Sequence, residues 1–257
     1  MKEMLSQIES IPDFELVSVF VRDGAVVKQP HLRAVVERGK SDAIAVVSDR
    51  YNLVQVKDLF MNVVERCGEG VEGEVLYYRG KGDLLVFPKG NSVGLLVQNS
   101  VDLSSAVRIS FCAKAERGVF RIPAEVAAPF VRVHTAKDVK VKIDSYLDLL
   151  QQVKQTWDQI VQSLAALELS REDIEKLKRD IGAGKRLSEI IDDCLDLNQE
   201  HFAPVKFWDF VQTAVKAIER RKFRSKFHLS RKIRKVSDAI IQWAVYEKIR
   251  RAAGPEL

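Results

Sequence analysis

The chain has 257 residues, 46% of them hydrophobic and 30% charged, with a net charge of +5. That supplies core for one large domain or two modest ones, and no run approaches the roughly 20 apolar residues a membrane-spanning helix needs. Three scattered cysteines, Cys67, Cys112 and Cys194, form no C-x-x-C pair and give no disulfide framework. His31, His134, His201 and His228 are equally dispersed, so no zinc-ligand spacing exists and no cofactor is expected.

The opening "MKEMLSQIES" has acids and no apolar centre, unlike a secretory leader, so cytoplasmic residence is expected. From Phe14 to about Thr135 the pattern is one of short alternating or apolar runs broken by turn residues, which predicts strands. "ELVSVFVR" leads through Asp23-Gly24 to "AVVK"; "LRAVVE" leads through Arg38-Gly39-Lys40 to "AIAVVS". "EVLYYR" passes through Gly80-Lys81-Gly82 to "DLLVFP", followed by "VGLLVQN", "AVRISFCAK", "GVFRIP" and "FVRVHT". One helix interrupts them, with Val56, Leu59, Phe60 and Val63 on one face and Gly68 as its stop.

From Val141 the period becomes helical. Leu150, Val153, Trp157, Ile160 and Leu164 form one stripe, and Ser170 with Asp173 makes a cap pair for a helix ending at Gly182. "GKRLSEIIDDCLDL" predicts a third helix, "FWDFVQTAVKAIERR" a fourth, and a last one is expected from about Ser230 to Ala253. The expected fold is α+β: a mostly antiparallel sheet with one early helix, then a helical C-terminal half packed on it, the boundary falling at residues 138/139.

Enzyme signatures are missing. Gly80-Lys81 and Gly184-Lys185 lack the remaining residues of a phosphate loop, and there is no G-x-S-x-G or H-E-x-x-H. Charge is more informative. Residues 220 to 251 hold twelve Lys or Arg against Asp238 and Glu247, a local +10 that leaves about −5 for the rest. Within "RRKFRSKFHLSRKIRK", Arg220, Arg221, Lys222, Arg224, Lys226, Arg231, Arg234 and Lys235 are candidates for phosphate contact, with Phe223 and Phe227 as stacking candidates. A helical stripe of Leu229, Ile233, Val236, Ile240 and Trp243 puts Arg231, Arg234 and Lys235 on the opposite face. The competing readings are that Phe223 and Phe227 anchor the core while the cations form an ordinary solvated face, or that Glu189, Asp192, Asp193, Asp196 and Glu200 neutralise the run. In the sheet half, Tyr77, Arg79, Arg108, Arg121, Arg132 and His134 occupy the polar phase of their strands, and would line one face if the strands were neighbours.

Tyr51, Val54 and Gln55, then Asn99, Ser100, Asp102, Ser104, Ser105, Ala106 and Arg108, then Cys112, then His134-Thr135 fall in a recognisable order. Over about residues 45–170 the chain resembles the phage/plasmid-like protein family, a domain of unknown function. Val101, Leu103 and Val133 stand where that pattern has His, Gly and Arg. The resemblance implies a mobile-element origin and a part in DNA replication, recombination or maintenance. The expected function is non-catalytic binding or annealing of single-stranded DNA. The alternatives are a structural component docking on an acidic protein partner, and a metal-dependent nuclease using Asp83, Asp102 and His134.

Overall fold

The computed structural model describes residues 1–23, 25–102, 104, 106–115, 118–132, 143–181, 189, 191–192 and 203–250. The fold is α+β, with antiparallel sheets in the N-terminal half and helices toward the C-terminus, following the change of period in the sequence. Two compact units divide the chain: residues 1–112 with 129–150, and residues 113–128 with 151–257. The boundary expected at 138/139 lies outside the described residues. No described helix is long and apolar enough to cross a membrane.

The first unit opens with α1 (Lys2–Glu9), which buries Met4 and Ile8. Strands β1 (Phe14–Asp23), β2 (Ala25–Glu37) and β3 (Ala43–Ser48) form an antiparallel meander in that order. Between Ser18 and Val19 the partner on β2 jumps from Arg33 to Gln29, so Pro30, His31 and Leu32 leave the β1 ladder. Pro30 has no N–H to offer a ladder and suits such a bulge.

Helix α2 (Val56–Cys67) buries Val56, Leu59, Phe60, Val63 and Val64, and Gly68 at φ 78 ends it, as its sequence predicts. It packs on β5 and β6 of the second sheet, in which β4 (Glu72–Tyr78), β5 (Lys81–Phe87), β6 (Val93–Ser100) and β7 (Val107–Ala115) follow one another. The β4–β5 turn sits one residue earlier than the glycines suggest. Tyr78 pairs with Lys81, leaving Arg79 (φ 45) and Gly80 (φ 77) as a two-residue loop with both φ positive. Gly82 instead lies inside β5, where a Cβ would come within 2.5 Å of Val56 and 2.8 Å of Phe60. Helix packing, and not turn geometry, accounts for glycine at that position.

Strand β8 (Gly118–Arg121) follows β7 in the sheet order and belongs to the second unit, while β9 (Phe130–Arg132) pairs with the start of β7 in the first. Helix α3 (Ile143–Ala165) is continuous across the 150/151 division. Its buried residues Leu150, Val153, Trp157 and Leu164 match the stripe in the sequence, with Ile160 half-buried. In the first unit Tyr146 stacks on Phe111 at 5.2 Å.

The second unit continues through β10 (Glu168–Leu169), paired with β11 (Val205–Lys206), and α4 (Arg171–Asp180). The α4 cap is the one in the sequence: Ser170 Oγ accepts from the Asp173 N–H at 3.2 Å, and Asp173 accepts from the Ser170 N–H at 3.1 Å. Helix α5 (Phe207–Glu219) packs against α6 (Lys226–Ala244), which also contacts β8 and α4. Helix α6 starts four residues before the expected Ser230 because Ser225 caps it, and past Ala244 it widens into a π-helical turn, Val245–Arg250. Most of the expected helix over "GKRLSEIIDDCLDL" lies outside the described residues.

Candidate nucleic-acid interface

The basic run occupies the end of α5, the link at residues 221–224 and the first half of α6. Helix α5 closes at Arg220, and Ser225 Oγ receives the His228 N–H at 3.4 Å while also meeting His228 Nδ1 at 2.7 Å. No acid occupies the first turn of α6, and Lys226 stands there instead. A cation beside the positive end of a helix dipole costs a few tenths of a kcal/mol and concentrates positive potential at that end.

Arg220, Lys222, Arg224, Lys226 and Lys235 are exposed, while Arg221, Phe223 and Arg231 are half-buried. Two predicted contact residues are not available to a ligand. Phe227 is only 4% exposed and is covered by the Arg231 guanidinium, 4.4 Å from the ring centroid; it anchors the helix and does not offer a stacking face. Arg234 is likewise 4% exposed. Phe227, Arg234, Ser237, Ile241 and Ala244 all lie on the buried side of α6, which is therefore broader than the predicted stripe, and Leu229 and Ile233 are only half-buried.

Arg234 is beside Asp238, whose Oδ1 accepts the Arg121 backbone N–H at 2.7 Å and so ties β8 to α6. Enclosure of that carboxyl pushes its pKa up to about 6, against the lowering effects of the Arg121 hydrogen bond and the two guanidinium charges.

Of the acids set against the basic run, Asp192 is 2.6 Å from Lys178, an α4 amine that also meets Glu175 at 3.3 Å. The Asp192 hydrogen bond holds the Lys178 pKa above its usual value. Glu189 is exposed, and Asp193, Asp196 and Glu200 lie outside the described residues. Among the described residues, no acid forms an ion pair with Arg220, Lys222, Arg224 or Lys235.

The register keeps two of the sheet arginines apart. Arg108 pairs across with Val131 and Arg132 with Val107, so the two arginines are not opposite each other. Arg121 belongs to the second unit. The Tyr77 hydroxyl accepts the Gly80 N–H at 2.9 Å, and the exposed Arg79 lies 5.5 Å from the Tyr78 ring. His134 and the Arg132 side chain lie outside what the structure describes.

The motif residues do come together, as ties between backbone segments. Tyr51 donates its hydroxyl to the Val101 carbonyl at 3.2 Å, and Asn99 Nδ2 donates to the Val54 carbonyl at 2.9 Å. Gln55 Oε1 takes the Phe14 N–H at 3.0 Å while its Nε2 donates to the Phe14 carbonyl at 2.6 Å, much as a neighbouring strand would. Burial acts to raise the Asp102 pKa, but hydrogen bonds from Ser104 and the Lys81 ammonium at 3.0 Å hold it below the usual carboxylate value. Asp83 is fully buried and accepts from Gln98 Nε2 at 3.1 Å. Among the described residues no group of three or more His, Cys, Asp or Glu is placed to hold a metal.

An exposed aromatic beside cations does occur, at a place the sequence did not single out. Of ten large hydrophobics exposed among the described residues, Phe20, Val21, Val26, Val27, Leu32 and Val46 fall within β1–β3. Alternation marks these as strand residues, but it carries no signal for which strands are left exposed. Comparisons of the chain with family models, with curated proteins and with solved structures return no match.

Proposed function

We propose that this chain binds nucleic acid without catalysing a reaction, with single-stranded DNA the favoured ligand and phage or plasmid recombination the setting. The observation that carries the reading is the run Arg220, Lys222 and Arg224 with Lys235: four exposed cations on adjoining segments with no described acid against them. Such a cluster neutralises phosphates and releases their counterions. The order of the residues from Tyr51 to Arg108 supports the mobile-element setting.

The test is a fluorescence-anisotropy titration of single- and double-stranded oligonucleotides at two salt concentrations. Four neutralised phosphates on a single strand contribute about −3 to the log–log slope, at least about a 50-fold loss between roughly 50 and 200 mM salt. Charge reversal of Arg220, Lys222 and Arg224 to Glu should abolish most of the affinity. Affinity independent of salt, or a charge-reversed variant that binds like wild type, would overturn the proposal.

A further inference from the structure

The β1–β2 hairpin extends beyond the sheet that roots it. Strand β3 pairs with β2 only from Leu32 to Val36, whereas the β1–β2 ladder continues through Val19↔Gln29, Phe20↔Lys28, Val21↔Val27, Arg22↔Val26 and Asp23↔Ala25. Those five pairs form a two-stranded ribbon with no third strand among the described residues, set off from the sheet by the bulge at Pro30–Leu32. A bare ribbon of that length is marginally stable alone and ordinarily hides its apolar residues. Here Phe20 is 58% exposed and Val26 is 69% exposed.

Directly opposed residues of an antiparallel pair lie on the same face, with Cβ atoms about 5 Å apart. Phe20 with Lys28 and Arg22 with Val26 therefore share one face of the ribbon, which presents an aromatic ring, two cations and a valine, and, among the described side chains, no carboxylate. Val19, Val21, Val27 and Gln29 occupy the other. Among the described residues, the side chains of Phe20, Arg22 and Lys28 have no hydrogen bond, ion pair or ring contact. A second copy of this face would be repelled by like charges, and a purely apolar partner would have to desolvate two cations. A ligand with a flat apolar face and negative charge within several ångströms of it satisfies both features, and a nucleotide is built that way.

We propose that the ribbon is a stacking arm for an unpaired nucleic-acid strand, with Phe20 taking a base and Arg22 and Lys28 taking its flanking phosphates. This rests on the nucleic-acid reading above and gives the first unit a contact of its own. It also returns to an exposed ring the role that Phe227 cannot fill.

The test compares a thymidine oligonucleotide with an abasic oligonucleotide of equal length, titrated against wild type, Phe20→Ala, Phe20→Trp, and Arg22→Ala with Lys28→Ala. Phe20→Ala should weaken binding to the thymidine strand by about 5- to 150-fold, the range set by one base–aromatic stack, and leave the abasic strand unaffected. Phe20→Trp should restore the difference. Removing the two cations should reduce the salt slope by about 1.4 on both strands.

If wild type binds but Phe20→Ala matches it on thymidine, the arm is refuted and the basic run stands. Equal losses on both strands would assign Phe20 to the protein's own structure and refute the arm as well. Should wild type fail to bind either strand, the nucleic-acid reading falls and takes the arm with it.

Discussion

Asp238 shows how one enclosed carboxyl makes stability depend on pH. Its folded pKa is about 6, whereas an unfolded Asp titrates near 4, so between those values the folded state keeps a proton the unfolded state has released. The contribution is full below about pH 4 and is lost as pH rises through 6, on the order of 2–3 kcal/mol. Asp238→Asn keeps an acceptor for the Arg121 N–H and does not titrate. Thermal melts from pH 4 to 7 should therefore show a decline in wild type that is flatter in the variant; parallel curves would assign the decline to other groups. Arg234, four residues before Asp238, is buried although its spacing predicts exposure. A helical wheel places Arg234 opposite the apolar stripe, but the buried side of α6 is broader than that stripe and takes in both Arg234 and Ser237.

At the scale of elements, features that depend on neighbours in sequence were legible and those that depend on distant packing were not. The Ser170 capping box and the stripes of α2 and α3 need only local spacing. Gly94 in β6 illustrates the other kind. A Cβ there would come 2.2 Å from the Val86 carbonyl oxygen and 2.5 Å from the Phe87 ring, both on β5. Nothing in "VGLLVQN" reveals this, because the crowding comes from the partner strand. Gly94→Ala is expected to cost about 2 kcal/mol or more, since backbone and a core ring must both shift. A urea midpoint equal to that of wild type would contradict it. The six-stranded sheet and the meander likewise have legible strands, but pattern alone does not give their register, and so does not reveal that Arg108 stands opposite Val131 and not opposite Arg132.

For the whole molecule, the shift from strand-like to helical periods marked two regions correctly in kind, yet gave no sign that the chain passes between units three times, at 112/113, 128/129 and 150/151. Residues 113–128 read as more strands, and only their partners, such as Asp238 for Arg121, attach them to the helical unit. The start of α3 belongs to the first unit, where Ile143 is buried, Tyr146 stacks on Phe111, and Asp144 pairs with Arg66 of α2. A fragment of residues 1–138 should consequently be less stable than one of residues 1–150. Both contain the same 113–128 stretch, so denaturation midpoints isolate the missing turns of α3. Equal midpoints would show that α3 adds nothing to the first unit.

The interleaved connectivity has a consequence on the ribosome. The first unit's opening stretch ends at residue 112, but its last part is not translated until residue 150. At roughly 5–20 residues per second that gap lasts about 2–8 s. During that interval the nascent sheet displays apolar surface intended for α3, and it is then that a holding chaperone would be expected to engage it.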